Sequence, residues 1–357
     1  MQKLKGAFRA TPWLIAAISL ALTACGRPAA KAPEDDVPPA EAHDAGDSNK
    51  PEPPRFTAIE LPAPQEFHGV RVKDGSALSV EELLTDLTTA DVLCVGEQHD
   101  DVHHHWAQYL ILNQLIERRQ MNGRGVAVGL EMVSRRKQPA LNRWSTGETK
   151  AKETLEALDW NQTWGYDFGN YAPIWWLAKQ NRVAILGLNL EQDMSRKIAR
   201  VGLKGLTPEE RARLPQEMNL RNRAHRAYFE QAMAHHPPPV SSRRKYYEAQ
   251  VAWDETMAET SNKWLVKQAP ASQLLILAGL GHCQNSAIPD RIRRRNQEAK
   301  VISVRPWREG DEPGLPKLLE EGTFDYVLVM SREDKPSHRR GGAGRGGGRR
   351  GERGRGR

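Results

Sequence analysis

Cysteine is scarce in this chain, at Cys25, Cys94 and Cys283 only. Three residues are too few for a disulfide scaffold, and no Cys-x-x-Cys pair marks a zinc site. Long apolar runs are missing as well. Beyond the N-terminus no stretch reaches 18 apolar residues, so no further helical membrane span is expected. A basic folded surface is also lacking, although the formal net charge is +7. Residues 332–357 hold nine Arg and one Lys against Glu333, Asp334 and Glu352, which places the whole +7 there. Residues 25–331 net −3. A fold that grips nucleic acid through a basic face is therefore not implied.

What is present divides the chain into four parts. Lys3, Lys5 and Arg9 precede a short apolar core, and Leu22-Thr23-Ala24-Cys25-Gly26 follows it. The core is too short for a span and reads as a signal peptide over residues 1–24. The closing residues resemble a bacterial lipobox, in which Cys25 is lipidated and becomes the new N-terminus. Residues 25–55 are rich in Pro, Ala, Asp and Glu, and should form a disordered linker. Residues 56–331 are expected to fold as one domain. Residues 332–357, an Arg-Gly tail with nothing to bury, should be disordered.

Within the domain, apolar runs at residues 91–96, 125–130, 183–186, 274–278, 301–304 and 326–329 read as strands. They are apolar on both faces, as in a sheet covered on both sides. Helical stretches separate them, including long ones near 216–235 and 242–268. The alternation predicts an α/β fold with a mostly parallel central sheet, flanked by helices and carrying a large helical insertion.

Three strand exits carry ionisable residues. Gly96-Glu97-Gln98-His99 leaves the first parallel strand, followed by Asp100, Asp101, His103, His104 and His105. Gly279-Leu280-Gly281-His282 leaves the fourth, and Glu131 ends the second. In open parallel sheets, ligands bind at the carboxyl ends of strands. If the strands are neighbours, His99, His282, Glu97 and Glu131 converge as ligands for a divalent metal, or as base and orienting groups for water attack. At least one of His103, His104 and His105 reads as the polar start of a helix. In Gln250-x-x-Trp253-Asp254-x-x-Met257, Trp253 and Met257 share a helix face, and Asp254 is placed to touch a histidine of the site. Cys94 and Cys283 each lie beside one Gly-x-x-His exit. Two separate buried thiols are the favoured reading, with a disulfide as the alternative.

These residues also carry a resemblance. Gly96-Glu97-x-His99 with His104, His105 and Gln108 resembles the ChaN family, within a superfamily that includes the Tiki proteases, TraB and erythromycin esterase. Glu131-Met132, Gln138, Tyr171-x-Pro173, Gly187-x-Asn189, Gly202-Leu203, Gln250-x-x-Trp253-Asp254-x-x-Met257-Ala258 and Gly279-x-Gly281-His282 follow in order. The match covers about residues 85–305. The resemblance implies a lipid-anchored, haem- or iron-binding protein of the cell envelope, acting in haem or iron uptake as a homodimer with a tyrosine on the haem iron. Candidate haem-binding residues are then Tyr166 and Tyr171, in the aromatic segment 160–176, together with Tyr228, His104 and His105; Tyr246 and Tyr247 are alternatives. The wider superfamily implies a second reading, a metal-dependent hydrolase using Glu97, His99, Glu131 and His282. Gly26 after the lipidated Cys25 points to the outer membrane. The Arg-Gly tail departs from the family pattern and is expected to meet anionic lipid or lipopolysaccharide phosphate through its arginines.

Overall fold

The computed structural model describes residues 61–234, 238–268 and 272–335. The signal peptide, Cys25, the linker and the tail from residue 336 lie outside the described residues. Eight strands form one sheet: β1 (Phe67–Arg71), β2 (Ser76–Leu78), β3 (Val92–Glu97), β4 (Gly125–Ser134), β5 (Ala184–Asn189), β6 (Ser272–Gly279), β7 (Val301–Arg308) and β8 (Tyr326–Met330). Their order is β2-β1-β8-β7-β3-β6-β4-β5. The six strands from β8 to β5 run parallel, and β1 with β2 adds an antiparallel hairpin at the β8 edge. The six parallel strands are the six apolar runs of the sequence. The hairpin was missed because Phe67–Arg71 and Ser76–Leu78 are short and only partly buried.

Both faces of the parallel strands are covered, which explains their unbroken apolarity. Leu93, Val95, Val128, Leu130, Leu275 and Leu277 face a core closed by helix Val102–Asn122 and by Trp144 and Trp175. Cys94, Ala127, Leu274, Ile276 and Ala278 face the other core, closed by Met257, Ala258, Leu265, Ile288 and Ile292. Helix Arg243–Gln268 matches the expected 242–268 stretch. The expected 216–235 helix is shorter, Arg223–Ala232. The Glu255 carboxylate takes the Asn219 backbone amide at 2.7 Å, and Asn222 caps the helix from outside through the His225 amide. Both contacts hold the preceding residues out of helical conformation.

The ordered chain runs past Ser331. Pro64 bridges Asp334, the Lys335 amide donates to Ala63, and Asp334 Oδ1 meets His103 Nε2 at 2.8 Å. The start of the tail is thus tied to the start of the domain. Among the described residues, no helix is long and apolar enough to cross a membrane.

Candidate functional site

The site forms where β3, β6 and β4, three neighbouring strands, reach their carboxyl ends. Two glycines permit the approach. A Cβ on Gly96 would lie 2.7 Å from Leu280 Cδ2, and one on Gly279 would lie 3.0 Å from His99 Cε1. Side chains at these positions would push the short helix Leu280–Cys283 and the His99 ring off the sheet.

His99 and His282 are held alike. His99 Nδ1 lies 2.8 Å from Glu97 Oε1, and His282 Nδ1 lies 2.5 Å from Asp254 Oδ1. Each carboxylate fixes the tautomer of its histidine and directs Nε2 inward. His282 Nε2 reaches Glu131 Oε1 at 3.2 Å. His99 Nε2 and Glu131 Oε2 lie 3.3 and 3.6 Å from the point where a Gly279 Cβ would stand. Glu131 Oε2 accepts the Gly279 amide at 2.7 Å. The two histidines therefore converge on Glu131, as their spacing on strand exits implied. Strand β4 does not end there. It continues to Ser134 with a register shift against β5 after Leu130, and Asn189 Nδ2 binds the Glu131 carbonyl at 2.9 Å.

Burial and partners set the charges. Burial opposes ionisation of Glu97, yet His105 and His99 hold it down at about 2. Burial likewise opposes the charge on Glu131, and His282 and His99 lower it nonetheless. His282 is pushed up to about 10, because Glu131 and Asp254 outweigh the burial that would lower it. His99 is raised against burial by Glu97 and Glu131. At neutral pH His282 is an imidazolium between two carboxylates.

Several expected roles change. Glu97 does not face a ligand. Its oxygens are taken by His99, by the Tyr171 hydroxyl at 2.7 Å and by Gln108 Nε2 at 2.8 Å. It orients His99 and is not a metal ligand. Tyr171 is fully buried with its hydroxyl donating to Glu97, so it is no haem ligand. His104 and His105 are also buried. His105 Nε2 meets the His99 carbonyl at 3.2 Å and its Nδ1 meets Gln108 Oε1 at 3.3 Å. His104 Nδ1 accepts the Gln98 amide at 2.8 Å, so its neutral ring carries the hydrogen at Nε2. Burial holds this ring down at about 4. Among the described residues, Asp101, His104 and Asp311 are the compact set whose ligand atoms lie within 4.8 Å of one another. A protonated Nε2 removes His104 from such a set. Tyr228 packs 3.4 Å from a Gly281 Cβ position, against the turn after β6, and does not line the cavity of Tyr166. Tyr247 is buried with its hydroxyl on His225 Nδ1 at 3.1 Å, and Tyr246 packs against the small cluster around Met194 and Ile198. The two cysteines are joined in a disulfide, which overturns the preferred reading of separate thiols. Neighbouring positions of β3 and of the turn after β6 leave their Cα atoms 5.2 Å apart.

Tyr166 is placed differently. It is half-buried and lines a cavity of about 550 Å³ whose floor includes Glu131. Trp164, Met132, Leu158 and Trp253 supply apolar wall, and Arg136, Lys137, Arg196 and Arg213 supply positive charge beside Glu191 and Asp193, with Glu191 pairing Arg136 and Arg213. The volume falls in the range of small-molecule and cofactor pockets. The Tyr166 and Trp164 rings lie 5.0 and 4.5 Å from the His99 ring. Burial raises the Tyr166 phenol, helped by Asp100 and Glu131.

Sequence reading missed His225. Its Nε2 lies 2.7 Å from Asp254 Oδ2 and extends the line Glu131–His282–Asp254 by one residue. No motif surrounds His225, and its placement depends on how helix Arg223–Ala232 packs. Gln250 was seen as part of a motif only; its Nε2 lies 3.3 Å from His282 Nδ1, and it also lines the cavity.

The family model described as haem-binding uptake, Tiki superfamily, ChaN matches residues 83–292. A structure of ChaN from Campylobacter jejuni, described as showing cofacial heme binding, aligns with a TM-score of 0.59 at 23% identity, covering 74% of this chain and 97% of that one. A mutant erythromycin esterase, EreC, in its open conformation aligns at 0.44 and 13% identity, covering 76% of this chain and 98% of that one. No curated protein matched.

Proposed function

Since this chain belongs to the ChaN family of haem-binding uptake proteins in the Tiki superfamily, we propose that it binds haem in the cavity floored by Glu131, with Tyr166 as the ligand to iron. The placement of Tyr166 carries this reading. Among the tyrosines singled out from the sequence, it alone lies on the cavity wall. The donor set suits haem. Trp164, Trp253, Met132 and Leu158 offer apolar contact to a macrocycle, and Arg196, without an ion pair among the described residues, offers a fork to one of its carboxylates. Haem bound there would supply the iron, and the Tyr166 phenol, which burial, Asp100 and Glu131 keep protonated in its absence, would be the residue that holds it.

The same reading includes lipid attachment at Cys25, an outer-membrane location, a role in haem or iron uptake, a homodimer and tail contact with anionic lipid. The Cys94–Cys283 disulfide supports export, because such bonds persist in oxidising compartments. Titration of the purified protein with haemin tests the core of the proposal. A Soret band should form, and Tyr166→Phe should shift or abolish it. No spectral change at stoichiometric haemin would overturn the assignment.

A second reading, a metal-dependent hydrolase, is favoured by one observation. His99 and His282 each have Nδ1 on a carboxylate; His282 Nε2 meets Glu131 at 3.2 Å, and His99 Nε2 and Glu131 both border Gly279. That is how metal-binding histidines are commonly oriented. In this reading His99, His282 and Glu131 would hold the metal after drawing together, since their ligand atoms are not all within 4.8 Å of one another here, and Glu97 and Asp254 would orient the histidines. Metal analysis of wild type and His282→Gln separates the readings, because Tyr166→Phe would leave metal content unchanged.

A further inference from the structure

Arg305 lies on the opposite side of β3 from the site above. Strand β3 pairs with β7 only as far as Val95–Val304, while β7 and β8 stay paired to Arg308–Met330. Arg305 is therefore the first residue of β7 beyond the point where β3 leaves it. The chain leaves β3 through helix Val102–Asn122 towards β4, and leaves β7 through helix Leu315–Glu321 towards β8. These connections run in opposite directions and cover opposite faces of the sheet. Adjacent strands with diverging connections form the crevice where open parallel sheets bind ligands.

The side chain at this point has no hydrogen-bonding or ion-pair partner among the described residues. Arg305 is 8% exposed, and its guanidinium makes no hydrogen bond or ion pair among the described residues. Its Nε is fully enclosed and unsatisfied. The Phe324 ring lies 5.8 Å from the guanidinium carbon. Tyr228, half-buried and packed against Gly281, also has no hydrogen bond on its hydroxyl among the described residues. The short helix Leu280–Cys283, against which Tyr228 packs at Gly281, lies on both β3 and β7, so Tyr228 borders the same crevice as Arg305. Asp311, Glu321 and His104 are the other titratable groups near Arg305. A buried guanidinium left alone is costly, and buried polar groups are normally satisfied.

We propose that Arg305 and the Tyr228 hydroxyl form a binding site for a small oxyanion, a carboxylate or phosphate group, in the crevice between β3 and β7. A planar fork with several N–H donors suits either group, and a phenol adds a further donor. The anion would neutralise the charge that the fold leaves unpaired. This site does not rest on the haem reading, because Arg305 and Tyr228 do not line the cavity of Tyr166.

The test is thermal unfolding of the full chain in a buffer free of small oxyanions, then with inorganic phosphate or with acetate. Wild type should gain melting temperature saturably with one or both. A gain with phosphate alone identifies a phosphoryl ligand, and a gain with acetate identifies a carboxylate ligand. In Arg305→Met the gain should vanish, and Tyr228→Phe should weaken the apparent affinity about tenfold, the loss of one charge-assisted hydrogen bond. Without anion, Arg305→Met should be no less stable than wild type, because it removes an unpaired buried charge. Equal gains in wild type and Arg305→Met, or no gain in wild type, would overturn the proposal. So would a loss of stability in both Glu321→Gln and Arg305→Met without anion, which would show that the chain's own carboxylate serves Arg305.

Discussion

His282 Nδ1 lies 2.5 Å from Asp254 Oδ1, so the histidine that closes the Gly279–His282 turn is anchored to helix Arg243–Gln268 across the edge of the sheet. With Glu131 on its other nitrogen, His282 is a cation on which two buried carboxylates depend. Its folded-state pKa, about 10, is raised from 6.5; burial opposes the shift, and Glu131 and Asp254 overcome it. A raised pKa contributes stability that is complete below the unfolded value and is lost as pH rises through the folded value. Urea unfolding of wild type and His282→Gln should differ by about 3–5 kcal/mol near about pH 6. The difference should shrink as pH approaches about 10. A constant difference across that window would show that His282 is not the titrating cation.

Tyr171 and Tyr166 should separate in experiment. Tyr171→Phe removes the hydroxyl that donates to buried Glu97 and should cost about 1–3 kcal/mol in chemical denaturation. It should leave the haemin spectrum as in wild type. Tyr166→Phe should do the reverse. A Soret band lost in Tyr171→Phe at full folding would reassign the ligand.

The disulfide closes a loop with a sequence separation of 189 residues. Replacing Cys94 and Cys283 together with Ala should lower stability by about 2–4 kcal/mol. Peptide mapping without reductant should recover the two segments as one linked species. Separate peptides carrying free thiols would contradict the pairing.

Cys25→Ala should leave the protein unprocessed and release it from the membrane fraction, because anchoring needs the acyl chains. Cell fractionation and a mobility comparison decide it. A variant that fractionates and migrates like wild type would refute lipid attachment.

Gly279→Ala should disturb the histidine site without unfolding the sheet. The added Cβ would stand 3.0 Å from His99 Cε1, so the ring must shift by a few tenths of an ångström. A cost of about 1–3 kcal/mol is expected. Nuclear magnetic resonance of the His99 ring should show the change while the other histidines stay put.

The sequence by itself determined the parallel strands, because burial on both faces demands unbroken apolar runs such as Ser272–Gly279. It also placed Glu97, His99, Glu131 and His282 at strand exits, since strand ends are local features. It could not sort their roles. Glu97 turns inward to Tyr171 and Gln108, while Glu131 faces the cavity, and residues far apart in the chain decide this. Tyr166 and Tyr171 are five positions apart in one aromatic segment, yet one lines a cavity and the other is sealed beneath it. The pairing of Cys94 with Cys283 and the bond of His225 to Asp254 followed only from strand order and helix packing. Local pattern fixes which residues reach an edge; long-range packing in a dense interior fixes what each one meets there.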